Sequence, residues 1–271
     1  MSIWRIITPL ALILVLGCSS HEELPPPDNP FDPGNPDYVS PEAEITSGPS
    51  EGEIIGNTSV TLVWEGNESA TEYRYRFDFL GWSEWDETTS TTFEYLDEGT
   101  HNFELMARSV NGEEQSISTL LDFGVDAVAG PAILIYPYMQ SASPGDTVDF
   151  QIFAEEVSDL FAVECQIQFD DEILELIEVI DGDLLTEWGG TALSIQEVSE
   201  SIVDFSVVAV EGSNTTFEGT TSIFLLRLRI KQSANLNIEL TAISVTNGVF
   251  INPHLEAIDL VYNRPGVLNV W

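Results

Sequence analysis

Basic side chains and cysteine are what this sequence has least of. Its 271 residues hold eight Lys and Arg against 46 Asp and Glu, a formal net charge of −38. A surface so negative repels phosphate backbones, and no nucleic-acid function follows from it. Two cysteines, Cys18 and Cys165, leave no disulfide framework. Cys165 lies on the apolar side of an alternating stretch and reads as a small buried hydrophobe, not a nucleophile. His21, His101 and His254 are too scattered for a metal-ligand spacing such as HExxH. GxSxG, GxGxxG and P-loop patterns are missing, and Asp181-Gly182-Asp183 is too short for an EF-hand-type calcium loop. With 46 carboxylates, any pair could be nominated as a glycosidase acid and base, so no pair carries information. The reading is a non-enzymatic chain with no cofactor.

Hydrophobic residues are plentiful, at 43%, and they are not evenly spread. Residues 1–18 place Arg5 before an almost wholly apolar Ile6–Leu16 and then Gly17-Cys18. That run is too short for a comfortable membrane span and has signal-peptide anatomy. Val15-Leu16-Gly17-Cys18 resembles a bacterial lipobox, with Val15 where Leu is more usual. The resemblance implies cleavage before Cys18, lipidation of its sulfur and, from Ser19, an outer-membrane destination, so that the mature chain is tethered to the cell envelope and faces outward. Residues 19–42 hold seven of the fourteen prolines, with Asp and Asn between them. Such a segment cannot bury enough apolar surface to fold and favours extended polyproline II, the physics of a stalk. Asp28, Asp32 and Asp37 could gather calcium there, but no framing turn supports a site.

From 43 to 127 the pattern changes to short strands at close spacing: Ser59–Trp64, Glu72–Phe79, Thr91–Tyr95, His101–Ser109 and Ile117–Val125. Turns are marked by Glu65-Gly66-Asn67, Asp97-Glu98-Gly99 and Asn111-Gly112. This predicts a small antiparallel sandwich, similar to the fibronectin type III and immunoglobulin-like spacers of bacterial surface proteins. Trp82-Ser83-Glu84-Trp85 could form a carbohydrate platform. Arg74, Arg76 and Arg108 on neighbouring predicted strands could instead stack on those rings by cation–π contact, as in the tryptophan–arginine ladder of WSxWS motifs, and the structural reading is favoured.

Gly130-Pro131 punctuates the junction, and residues 132–271 suit one larger sandwich. Pro144-Gly145-Asp146 supplies a turn. In Thr147–Ala154, Val148, Phe150, Ile152 and Ala154 share one face; in Ala162–Asp170, Val163, Cys165, Ile167 and Phe169 do. Period-two alternation marks half-buried antiparallel strands. Residues 171–180 fit a helical stripe (Ile173, Leu176, Ile177, Ile180) as well as a strand. Further strands are expected at Ala192–Val198, Ser201–Glu211, Thr220–Lys231, Leu236–Val245, Ala257–Tyr262 and Gly266–Val270, with no convincing amphipathic helix.

The apolar lead-in Ile133–Tyr136, then Pro144-Gly145-Asp146-Thr147-Val148, then Phe169-Asp170 before Ile173-Leu174-Glu175-Leu176, resembles the opening of a cohesin domain. The resemblance covers about half the chain and tips residues 171–180 towards a turn and strand. It implies a nine-stranded jelly-roll that binds dockerin modules through a flat sheet face including its third and eighth strands. Counting strands puts Glu164, Gln166 and Gln168 on the third and Arg227 and Arg229 on about the eighth, hence all five on the partner-binding face.

The expectation is therefore an all-β chain of two sandwiches: lipoprotein signal peptide 1–18, linker 19–42, immunoglobulin-like module 43–127 and cohesin-like module 132–271. Its function is non-catalytic docking of a protein partner, dockerin-bearing by the resemblance, in polysaccharide degradation or surface assembly. The rival is a cell-surface carbohydrate-binding module acting through Trp82, Trp85 or Trp188; a third reading is a structural envelope or adhesion protein.

Overall fold

The computed structural model describes residues 32, 34–188, 192–210, 216–231 and 238–270. The expected signal peptide, the expected lipidation site Cys18 and most of the proline-rich linker lie outside these residues. The described part of the linker departs from polyproline II at one turn. Residues 34–37 turn, with Asn35 N donating to Asp32 O, and Ser40 O accepts from Asn67 Nδ2 at 2.7 Å, which fastens the linker's end to the first module.

That first module has seven strands: β1 (Ala43–Ser47), β2 (Ile54–Ile55), β3 (Val60–Gly66), β4 (Glu72–Phe77), β5 (Ser90–Phe93), β6 (Gly99–Arg108) and β7 (Thr119–Val125). They form a three-stranded sheet, β1-β3-β5, and a four-stranded sheet, β2-β7-β6-β4. Alternation sends Leu62 and Trp64 inward from one sheet and Phe103, Leu105 and Phe123 from the other, all fully buried. The two opening strands escape the sequence pattern because β1 carries only Ala43 and Ile45 as apolar positions and β2 has two residues.

The second module runs through β8 (Ala132–Tyr136), β9 (Met139–Ala142), β10 (Thr147–Leu160), β11 (Ala162–Phe169), β12 (Leu174–Asp181), α1 (Leu184–Glu187), β13 (Ala192–Ser199), β14 (Ile202–Ala209), β15 (Phe217–Ile230), β16 (Ile238–Ile251), β17 (Ala257–Ile258), β18 (Tyr262–Arg264) and β19 (Gly266–Val270). One sheet is ordered β12-β15-β10-β8-β18; the other, of seven strands, β13-β14-β11-β16-β19-β9, with β17 added on β16. Val148, Phe150 and Ile152 of the first sheet and Val163, Cys165 and Ile167 of the second enter one core, as their alternation predicts. Phe205 of β14 stacks on Phe224 of β15 across the gap, ring centroids 4.3 Å apart. Gly145 closes the turn before β10 at φ 97°, a conformation suited to glycine, while its N–H donates to Ile230 O. Residues 174–181 form a strand on β15, as the resemblance implied. The short α1 was not expected, and the single strand expected over Ala257–Tyr262 is split into β17 and the start of β18.

The two modules meet around Arg264. Its side chain is 1% exposed and reaches Glu98 Oε1 at 3.2 Å and Asp97 Oδ1 at 3.4 Å, both in the first module. Its guanidinium lies 4.6 Å from the Tyr138 ring centroid, Tyr138 N donates to Asp97 Oδ1 at 2.6 Å, and Tyr95 meets Tyr138 edge-on at 5.1 Å. Val128, Ala132 and Leu134 make a small apolar cluster there with Phe153. Burial pushes the Asp97 and Glu98 carboxyls above their usual range, against backbone hydrogen bonds and the pull of Arg264.

Candidate docking face

Three strands in the middle of the seven-stranded sheet set the site. β11 lies between β14 and β16, with β13 beyond β14 at the edge. Because Val163, Cys165, Ile167 and Phe169 point into the core, the alternate residues Glu164, Gln166 and Gln168 point out. Register then fixes their neighbours in rows across the wall. Leu193, Val208, Ala162 and Ile251 make the first row; Ile195, Ser206, Glu164 and Val249 the second. Glu197, Asp204, Gln166 and Asn247 make the third, and Ser199, Ile202, Gln168 and Ser244 the fourth. One end of the wall is thus apolar and the other polar. Leu193 and Ile195 are each 53% exposed, a large apolar surface left in water on an edge strand.

The polar rows are tied together. Gln166 Nε2 donates to Asp204 Oδ1 at 2.8 Å, and Thr246 Oγ1 donates to Gln166 Oε1 at 2.9 Å. Thr246 sits at a register shift between β11 and β16, the extra residue that turns its hydroxyl towards Gln166. The chain of bonds crosses three strands and holds Gln166 in one orientation, so the wall is organised before anything meets it.

The five expected partner-binding residues do not share this wall. Glu164, Gln166 and Gln168 are on it. Arg227 and Arg229 are on β15, which pairs with β10 and β12 in the other sheet. There Arg227 makes a two-pronged contact with Asp149 (2.9 and 2.8 Å) and reaches Glu178 at 3.4 Å, while Arg229 reaches Glu175 at 3.6 Å. Strand counting failed because alternation says which residues are buried but not which strands are neighbours. The signal that was available is charge: Asp149, Glu175 and Glu178 stand opposite those arginines as cross-strand pairs. Sequence reasoning also missed Leu193, Ile195, Val249, Glu197 and Asp204. The strand Ala192–Val198 was expected without a face being assigned to it, because an edge strand's alternation looks the same facing either way.

The carbohydrate alternative loses one residue outright. Trp188 is 1% exposed and belongs to the core of the second module, so it offers no platform. Trp82 and Trp85 are half-buried and face guanidinium groups: Arg74 lies 4.9 Å from Trp82 and 4.5 Å from Trp85, Arg76 lies 5.0 Å from Trp82, and Arg108 lies 4.6 Å from Trp85. Ion pairs to Glu114, Glu104 and Glu72 also hold those arginines.

Cys165 and His101 are accounted for in the packing. Cys165 is buried on the inner side of β11, and burial pushes its thiol up, away from a reactive thiolate. His101 is held by Asp78 (2.8 Å from Nδ1) and Asp97 O (2.9 Å from Nε2). Burial opposes its charging, but those partners outweigh it and raise its pKa. Among the described residues no group of three or more His, Cys, Asp or Glu is placed to hold a metal ion.

A two-sheet module with an ordered, partly apolar outer wall has the anatomy of a docking domain. The comparisons give the family: the cohesin-domain family model matches residues 139–261, and the second module is a cohesin domain. Similar solved structures include a chain of a type I cohesin–dockerin complex from Clostridium thermocellum, 15% identical over 52% of this chain and 98% of that one, with a TM-score of 0.44. The sixth cohesin of scaffoldin B from Acetivibrio cellulolyticus, solved in complex with a dockerin, is 18% identical over 53% of this chain and all of that one (100%), TM-score 0.43. A non-cellulosomal cohesin from the archaeon Archaeoglobus fulgidus is 13% identical over 52% and 91%, TM-score 0.40. No curated protein matches the chain. The family match does not extend to the first module.

Proposed function

We propose that this protein is a lipid-anchored component of a bacterial cell surface, in the outer membrane and facing outward, whose cohesin domain docks a dockerin-bearing protein in polysaccharide degradation or surface assembly. Lipidation of Cys18 anchors it, the proline-rich stretch is its stalk, and the first module is a spacer. The observation that carries the reading is the outer wall of β13, β14, β11 and β16, where Leu193 and Ile195 stand exposed beside an ordered polar network. An apolar patch rimmed by satisfied polar groups is the anatomy of a protein interface.

The test is calorimetry of the chain from Ser19 to Trp271 with recombinant type I and type II dockerin modules. At least one dockerin is expected to bind, and Ile195→Asp to weaken it about tenfold or more, the scale of one interface anchor. Arg229→Gln, on the opposite wall, leaves affinity unchanged. Binding by no dockerin, or loss through Arg229 instead of Ile195, contradicts the proposal.

A further inference from the structure

The chain's basic residues are few enough to follow one by one, and together they specify the partner's chemistry. After residue 18 there are seven. Arg74, Arg76 and Arg108 are held in the first module by Glu114, Glu104 and Glu72. Arg264 is sealed between the modules on Asp97 and Glu98. Arg227, Arg229 and Lys231 belong to the β15 wall or its margin, on Asp149, Glu178, Glu175 and the Asp171 carbonyl. All seven are thus engaged, and none comes from the seven-stranded sheet.

The two outer walls of the cohesin domain consequently differ in their cations. On the β15 wall Arg227 and Arg229 offset part of the charge of Asp149, Glu175 and Glu178. The docking wall carries Glu164, Glu197 and Asp204 with no Lys or Arg on β11, β13, β14, β16 or β17, and none of the three has an ion pair among the described residues. Asp204 already accepts from Gln166, which is neutral and leaves its charge uncompensated. Like charges adjacent on a sheet repel, and a surface that keeps them uncompensated beside an apolar end gains most from a partner that brings the opposite sign. The geometry points to a partner that covers Leu193 and Ile195 with apolar side chains and places Lys or Arg over Glu164, Glu197 and Asp204. This inference rests on the docking role proposed above and specifies the partner's chemistry within it.

Its test uses a matched pair of helical peptides with one shared leucine face and polar flanks of either Lys or Gln, titrated into the full chain from Ser19 while backbone amide shifts are followed. The Lys peptide is expected to perturb amides of β11, β13 and β14 at low salt. Its affinity should fall about tenfold or more in 0.5 M salt, where screening shortens to a few ångströms, and by a similar factor in the triple variant Glu164→Gln, Glu197→Gln, Asp204→Asn. Equal binding of both peptides, perturbation confined to other acidic surfaces, no perturbation, or a triple variant that binds like the wild type overturns the inference. The docking role is judged separately: a dockerin that binds this wall through a contact surface free of Lys and Arg keeps that role and overturns the basic partner, whereas a Lys peptide that binds where no dockerin does keeps the basic partner and removes the dockerin.

Discussion

Trp82 and Trp85 show how a residue's neighbours decide its use. Each is a large ring on the flank of the first module, and each already meets two guanidinium groups. Cation–π contacts at half-exposed sites contribute about 0.5–1 kcal/mol apiece. Trp82→Ala should therefore lower the first module's stability by about 1–3 kcal/mol, counting the apolar area lost as well. Scanning calorimetry reads that shift, and a glycan array with the same variant separates the two roles. Unchanged stability together with lost glycan binding would restore the carbohydrate platform. The rings and arginines were legible in the sequence because Arg74 and Arg76 alternate with Tyr73, Tyr75 and Phe77 on a strand. Burial of Trp188 was not, since it follows the unforeseen α1.

Arg264 plays the corresponding part at the scale of elements. It ends β18, an edge strand running parallel to β8, and this places its side chain between the modules. Arg264→Met keeps the apolar stem but leaves Asp97 and Glu98 without their cation. A buried ion pair broken from one side costs about 3–5 kcal/mol, less here because both carboxylates are partly exposed. Amide hydrogen exchange at Leu134 and Tyr138 should accelerate, and adding Asp97→Asn with Glu98→Gln should restore part of the protection. Exchange rates that do not change in Arg264→Met would show that the junction does not depend on this clamp. Nothing in the sequence marked Arg264, because its partners are more than 160 residues away. The strands themselves were legible wherever one face is buried, as in β10 and β11. Their neighbours were not, and β15 with its two arginines was assigned to the wrong wall for that reason.

At the scale of the whole molecule, scarcity of basic residues becomes a pattern. Acidic groups are spread over both modules, while the seven cations after residue 18 are spent on the tryptophan ladder, the junction and the β15 wall. One broad wall is left apolar at one end and negative at the other, and such a field also steers an oppositely charged partner at long range. The most direct measurement of this account is a hydrogen-exchange footprint of the full chain from Ser19 in complex with whichever dockerin binds it. Protection confined to β11, β13, β14 and β16, with Glu164 and Ile195 near its centre, is the predicted result; protection on β10, β12 and β15 around Arg227, or on the first module around Trp82, would contradict it.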